Sequence, residues 1–218
     1  MAKNGKIVDL RALLAERFPS VAPPPHDCLV TGLATFDKPA GGGLRKGAIT
    51  ELISPNLSAG SASFIAAMIQ AAQRERYFMA LIDGSDSFDP QPLGNHALRH
   101  LLWVRCRTTV QAIKSADLLL RDGNFPLVIT DLVLNSPNDV RKVPQTSWYR
   151  LQRLVEATPS AFVVLTRANT VSSAQLKIVL ENAWTLKTVN HEKPTSFLRI
   201  RVRRAHRVAS GLLNVVAG

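Results

Sequence analysis

Cysteine is scarce: Cys28 and Cys106 are the only two in 218 residues. Two thiols build neither a disulfide framework nor a four-cysteine zinc site. Neither lies in a cysteine or histidine cluster, so both are expected to be structural thiols of a reducing compartment. Long apolar runs are missing as well. Stretches such as FMALI and LLWV fall far short of the roughly 20 residues that cross a bilayer, so no membrane contact is expected. No positively charged start leads into an apolar signal core, which argues against secretion and for a cytoplasmic chain. Acidic residues are the third shortage. Against 27 Lys and Arg stand 16 Asp and Glu, for a net charge of +11 and a pI near 10.4. Such a surface attracts polyanions: nucleic acid, nucleotide phosphates or an acidic protein.

What the chain does hold is enough apolar material for a core. Apolar residues make up 46% and the mean hydropathy is near zero, at +0.04, which excludes wholesale disorder. The length fits one α/β domain with a small appendage. Three parts are expected: residues 1–27, a core over 28–208 and an apolar tail over 209–218. In KIVDLRALLAERF, from Lys6 to Phe18, the residues Ile7, Leu10, Leu13, Leu14 and Phe18 fall at helical spacing. The Pro-rich PSVAPPPHD that follows suits a stiff linker, so this helix is expected beside the core or on a second subunit, a route to self-association.

Beyond Cys28, short apolar runs alternate with helical stretches. AITELI (48–53), FMALID (78–83), LLWVRC (101–106), LVITD (127–131) and AFVVLT (161–166) read as buried strands. Residues 62–75, 110–121 and 148–157 read as amphipathic helices. This alternation predicts a mostly parallel sheet with crossover helices. Near the end, FLRIRVRRAHRV (197–208) alternates apolar with basic, as an edge strand or hairpin with one solvated face does.

Ligands of open α/β sheets sit at the carboxyl ends of strands, where a loop enters a helix. The first such loop here lies within Glu51–Gln73, ELISPNLSAGSASFIAAMIQAAQ. A phosphate loop in that place cradles its ligand with backbone N–H groups, a Lys and a metal-holding Ser or Thr. The lead-in VTGLATFDKPAGGGLRKGAITE (30–51), the loop SPNLSAGS (54–61), ALIDGSDSFDP (80–90) and the strand end at Asp131 follow, in order, the motifs of the RecA family, which the chain resembles over roughly Val30–Val208. LLWVRC followed by ADLLLRDGNFPLVITDL is most similar to the ImuA type of inducible-mutagenesis protein within that family. The resemblance implies a RecA-like P-loop fold and a bacterial, nucleoid-associated setting. Its implied partners are a catalytically inactive Y-family-like polymerase homologue and an error-prone replicative-type polymerase.

Against the family pattern, Gly60 stands where the P-loop Lys is expected, Ala59 replaces a Gly and Ser54 the opening Gly. Losing such a cation removes on the order of 3 kcal/mol of electrostatic stabilisation in a dry site. Ser85 stands where the water-activating Glu belongs, with Asp86 aimed elsewhere, and Thr166-Arg167 replaces an Asn-Gln pair that senses the terminal phosphate. What remains of a nucleotide site is Ser58, Gly60, Ser61 and Asp131. No catalytic residue, metal site or resident cofactor is expected, with ATP–Mg²⁺ binding left open.

For DNA, the candidates are Arg141 and Lys142 after the Asp131 strand, Arg167, and the run Arg199, Arg201, Arg203, Arg204 and Arg207. On a strand, Arg199, Arg201 and Arg203 share one face about 7 Å apart, near the phosphate spacing of a single strand. A solvated, aggregation-resistant edge is the competing explanation. His96 and His100, at i and i+4, are expected at the surface, and Asp83, Asp86 and Asp89 in turn formation. Three functions compete. The first is a catalytically degenerate RecA-like accessory protein of DNA-damage-induced translesion synthesis, the SOS response, binding protein and single-stranded DNA. The second is a divergent DNA-dependent ATPase of repair and recombination whose missing charge comes from Arg45, Lys46 or a neighbouring subunit. The third is an SOS or cell-division regulator that binds only protein.

Overall fold

A computed structural model describes residues 28–183 and 198–205. The segment 1–27 with its expected helix, Arg207 and the tail 209–218 lie outside the described residues. Two short strands, β1 (Cys28–Leu29) and β2 (Leu44–Arg45), pair antiparallel around helix α1 (Ala34–Ala40). The Asp37 carboxylate closes this unit, accepting hydrogen bonds from the Thr31 N–H and hydroxyl and from the Gly32 N–H.

The main sheet follows as β3 (Ala48–Ile53), α2 (Ser61–Arg74), β4 (Met79–Asp83), α3 (Gly94–Leu98), β5 (Leu101–Arg105), α4 (Thr109–Asp122), β6 (Leu127–Asp131), α5 (Pro137–Arg141), α6 (Gln145–Glu156), β7 (Ala161–Thr166), β8 (Leu176–Leu180) and β9 (Ile200–Ala205). Its seven strands run in the order β5-β4-β6-β7-β3-β8-β9. All neighbours are parallel except the last pair, β8 with β9. The expected α/β architecture, a mostly parallel sheet flanked by helices and ending in a basic edge strand, is the one observed.

Why the strands read as unbroken apolar runs is now plain. β3, β4 and β7 are buried along their whole length, because helices cover both faces of the sheet. Leu52, Leu81, Ile129, Val163 and Ile178 meet Phe64 and Met68 of α2 on one side. Their neighbours Ile82, Val128, Phe162 and Val164 meet Ala112, Ala116 and Leu120 of α4 and Trp148, Leu151 and Val155 of α6 on the other. Alternate side chains of one strand thus feed two separate cores. Local signals fix the ends of α4: the Thr108 hydroxyl accepts from the Gln111 N–H at 3.2 Å, and Gly123 takes φ +70 past the last turn.

Small departures from expectation have local causes. Phe78 stands one residue before β4 and is 58% exposed, so the apolar run overstates the strand. His96 lies in the short α3, but His100 lies past its end and stacks on Phe78 at 5.4 Å, so the two histidines do not share a helix.

Candidate functional site

The carboxyl ends of β3, β4, β6 and β7 gather the residues that the sequence singles out. After Ile53 the chain turns through Ser54, whose N–H donates to the Thr166 carbonyl at 2.7 Å and whose hydroxyl donates to the Asn56 carbonyl at 3.0 Å. The Ala59 N–H donates to the same Asn56 carbonyl at 3.1 Å. A small internal turn therefore occupies the loop, and an amide that a phosphate cradle would present is already used. Ala59 is fully buried. Its backbone needs no left-handed conformation; that demand falls on Gly60, at φ +109 and ψ 14, which forms the N-terminal boundary of α2. Only glycine takes such a dihedral freely. Ser61 is buried in the first helical turn, and Ser58 is partly buried.

Asp131 ends β6 directly beside Asp83 at the end of β4. The two carboxylates differ in their surroundings. Asp83 is 1% exposed and accepts from the N–H groups of Ser85, Ser87 and Phe88 and from the Trp103 indole. It is the hub of the turn after β4, the role expected for the acidic cluster. Among the described residues the Asp131 carboxylate accepts only the Val133 N–H, at 2.9 Å. Burial pushes its pKa up to about 6; the Val133 hydrogen bond works against that, and the nearby Asp83 charge adds to it. Asp86, beside Ser85, is held by Arg105 through two hydrogen bonds, and that guanidinium keeps its carboxyl below the usual range. Among the described residues no group of three or more His, Cys, Asp or Glu could hold a metal ion.

Gly84 lets β4 and β6 close on each other. A Cβ there would lie 2.4 Å from Asn135 Oδ1 and 2.6 Å from the Asp131 carbonyl oxygen. Asn135 in turn donates its amide to the Gly84 carbonyl at 2.8 Å and fixes the loop that leads to Arg141.

Sequence reasoning missed a buried charged pair beside the site. Glu51 of β3 is 0% exposed and faces Lys177 of β8, 4% exposed, across a 2.7 Å ion pair. Glu51 also accepts from the Thr166 hydroxyl and from the N–H groups of Thr170 and Val171. Lys177 also donates to Asn169 Oδ1 and to the Val171 carbonyl. The pair thereby pins the loop after β7 to the sheet, and Arg167 is a fixed cation on a short tethered loop. The only signal in the sequence was a Glu inside an otherwise apolar strand, which demands a partner.

Arg141, at the end of α5, and Arg167, after β7, come together because β6 and β7 are neighbours. Both line one cavity of about 20 Å³, room for about one water, with Asn135 and Thr170. Neither arginine has an ion-pair partner among the described residues, and both are exposed. Lys142 is exposed and approaches Asp139 at 3.5 Å. Leading into and along β9 the alternation holds: Leu198 is buried, while Arg199, just before the strand, and Arg201 and Arg203 on it are exposed. The row is not uniform, however. Arg201 is bound to Glu181, and a bulge sets in where Lys177 pairs with Arg204 but Ile178 with Val202. Arg45 and Lys46 need correcting as donors of the missing charge. They precede β3, at the amino end of the strand, whereas the loop leaves its carboxyl end about 20 Å away.

Comparison with known proteins agrees with this layout.

The chain is similar to RecA. It is 31% identical to Protein RecA of Frankia alni over 113 residues, 50% of this chain and 32% of that protein. The figures are 34% over 113 residues for Protein RecA of Leifsonia xyli subsp. xyli (50% and 31%) and 33% over 114 residues for that of Dichelobacter nodosus (50% and 32%). The matched stretch thus spans about a third of the RecA proteins' length. No family model matches the chain. The mostly parallel seven-stranded sheet flanked by helices is consistent with a RecA-like P-loop fold. Among the described residues no helix is long and apolar enough to cross a membrane.

Proposed function

We propose that this chain is a RecA-fold accessory protein of the DNA-damage response that acts by binding and does not hydrolyse ATP. One observation carries the reading: where the family places its phosphate-gripping Lys, this chain has Gly60 in a backbone conformation that side chains avoid. The residues present fit ATP–Mg²⁺ poorly. The Ala59 amide is committed to Asn56, the buried Lys177 is committed to three acceptors, and Asp131 holds a proton up to about pH 6. Similarity to RecA and the order of the motifs support a role in DNA repair. The ImuA-type resemblance of LLWVRC and the stretch after it supports translesion synthesis, with an inactive polymerase homologue and an error-prone polymerase as partners.

Arg141 and Arg167 supply the DNA contact in this reading. Two exposed guanidinium groups without counter-charges among the described residues, on loops held in place by Asn135 and by Glu51–Lys177, make a candidate phosphate site. The test titrates ATP with Mg²⁺ against the chain and follows both thermal unfolding and phosphate release, with and without single-stranded DNA. No stabilisation and no turnover at millimolar nucleotide are expected. Turnover above the protein-free rate would replace this reading with the divergent ATPase.

A further inference from the structure

One cavity lies away from the loop between β3 and α2, on the outer face of the helices. A groove of about 700 Å³ runs between α4 and the turn joining α5 to α6. Its apolar lining includes Val110, Ile113, Leu118, Val143, Pro144 and Leu151. Val110 and Leu118 are 61% and 68% exposed, unusual for large aliphatic side chains on a helix that already has a buried face. Between them at i+4 from one and i−4 from the other stands Lys114, so one stripe of α4 reads aliphatic, cation, aliphatic.

Among the described residues the charges around the groove engage one another, with one left over. Asp117 is gripped by Arg121 from its own helix and by Arg150 from α6, which locks the two walls together. Asp139 faces Lys142. Lys114 has no ion pair or hydrogen bond among the described residues.

We propose that this groove docks an amphipathic helix of a different, acidic protein, whose aliphatic stripe covers Val110 and Leu118 and whose central Asp or Glu neutralises Lys114. An apolar helix alone would bury the Lys114 ammonium without a partner, which is unfavourable. The occupant must therefore bring a carboxylate. A second copy of this chain is disfavoured by the same electrostatics, since each copy carries +11. The proposal is independent of the reading of the nucleotide loop.

The experiment displays a library of a fixed helical scaffold, randomised on one face, and selects it against the full chain. Selected helices are expected to carry Asp or Glu flanked three or four positions away by Leu, Ile or Phe. Their affinity is expected to fall about tenfold or more on Lys114→Glu or Leu118→Asp. Selection against the Lys114→Glu chain is expected to switch the enriched charge to Lys or Arg. All these positions are exposed, and thermal unfolding confirms that each variant folds, with Lys114→Gln as the milder form. Enrichment of neutral or basic helices, failure of selection, or binders indifferent to both substitutions would overturn the proposal. So would self-association in sedimentation velocity that Leu118→Asp abolishes, because a second copy would then be the occupant.

Discussion

At the scale of single residues, Gly60 and Asp131 set what the nucleotide loop is able to do. A lysine at Gly60, the substitution that the proposed reading singles out, would place a long side chain at φ +109, a conformation costing about 1–3 kcal/mol for any residue but glycine. Gly60→Lys is therefore expected to lower stability by that amount in urea unfolding and to leave phosphate release at background. A gain of ATP turnover would show that the turn adapts to the cation. Asp131 predicts a pH effect of definite sign. Its folded pKa of about 6 lies above the ordinary 3.8, so its contribution is fully present below pH 3.8 and is lost as pH rises through 6. About 3 kcal/mol is at stake. Asp131→Asn keeps an oxygen to accept the Val133 N–H and removes the titration. The variant is expected to exceed the parent in stability at pH 7 and to converge with it near pH 4, read as the difference between their unfolding midpoints across that range.

Among whole elements, β8 and the loop before it depend on a pair of charges 126 positions apart. Removing one member of a buried pair strands the other, at a cost of about 3–5 kcal/mol. Lys177→Met is expected to destabilise the chain by that much and to expose the Thr170 and Val171 amides to hydrogen exchange. Lys177→Met with Glu51→Gln is expected to recover most of the loss, since Gln still accepts from the loop amides. Equal instability of the double variant would mean that packing, not charge, holds the loop. The same elements show what a sequence discloses. β3, β6 and β7 were legible residue for residue, because an apolar run buried on both faces has no ambiguous edge. The turn built by Asp83 was legible too, from the cluster of Asp83, Asp86 and Asp89 after an apolar strand. Glu51 with Lys177, and Arg141 with Arg167, were not. Each of these meetings depends on strand order, which places β8 beside β3 and β7 beside β6, and periodicity along one strand carries no record of its neighbours. The groove beside α4 was hidden for a related reason: its walls come from helices on either side of β6.

For the molecule as a whole, a net charge of +11 attracts polyanions by itself, so affinity for DNA would not distinguish a site from a diffuse field. The salt dependence does. Each phosphate neutralised by a fixed cation contributes about 0.7 to the slope of log affinity against log salt for single strands. Arg141 and Arg167 carry no counter-ion among the described residues, whereas Arg201 is already bound to Glu181. Arg141→Ala and Arg167→Ala are thus each expected to flatten the slope for an oligothymidylate by about 0.7. Arg201→Ala removes the same formal charge and is expected to change the slope far less. Fluorescence anisotropy at several salt concentrations measures all three. If the three variants flatten the slope equally, binding follows net charge alone, and the carboxyl ends of β6 and β7 are not a DNA site.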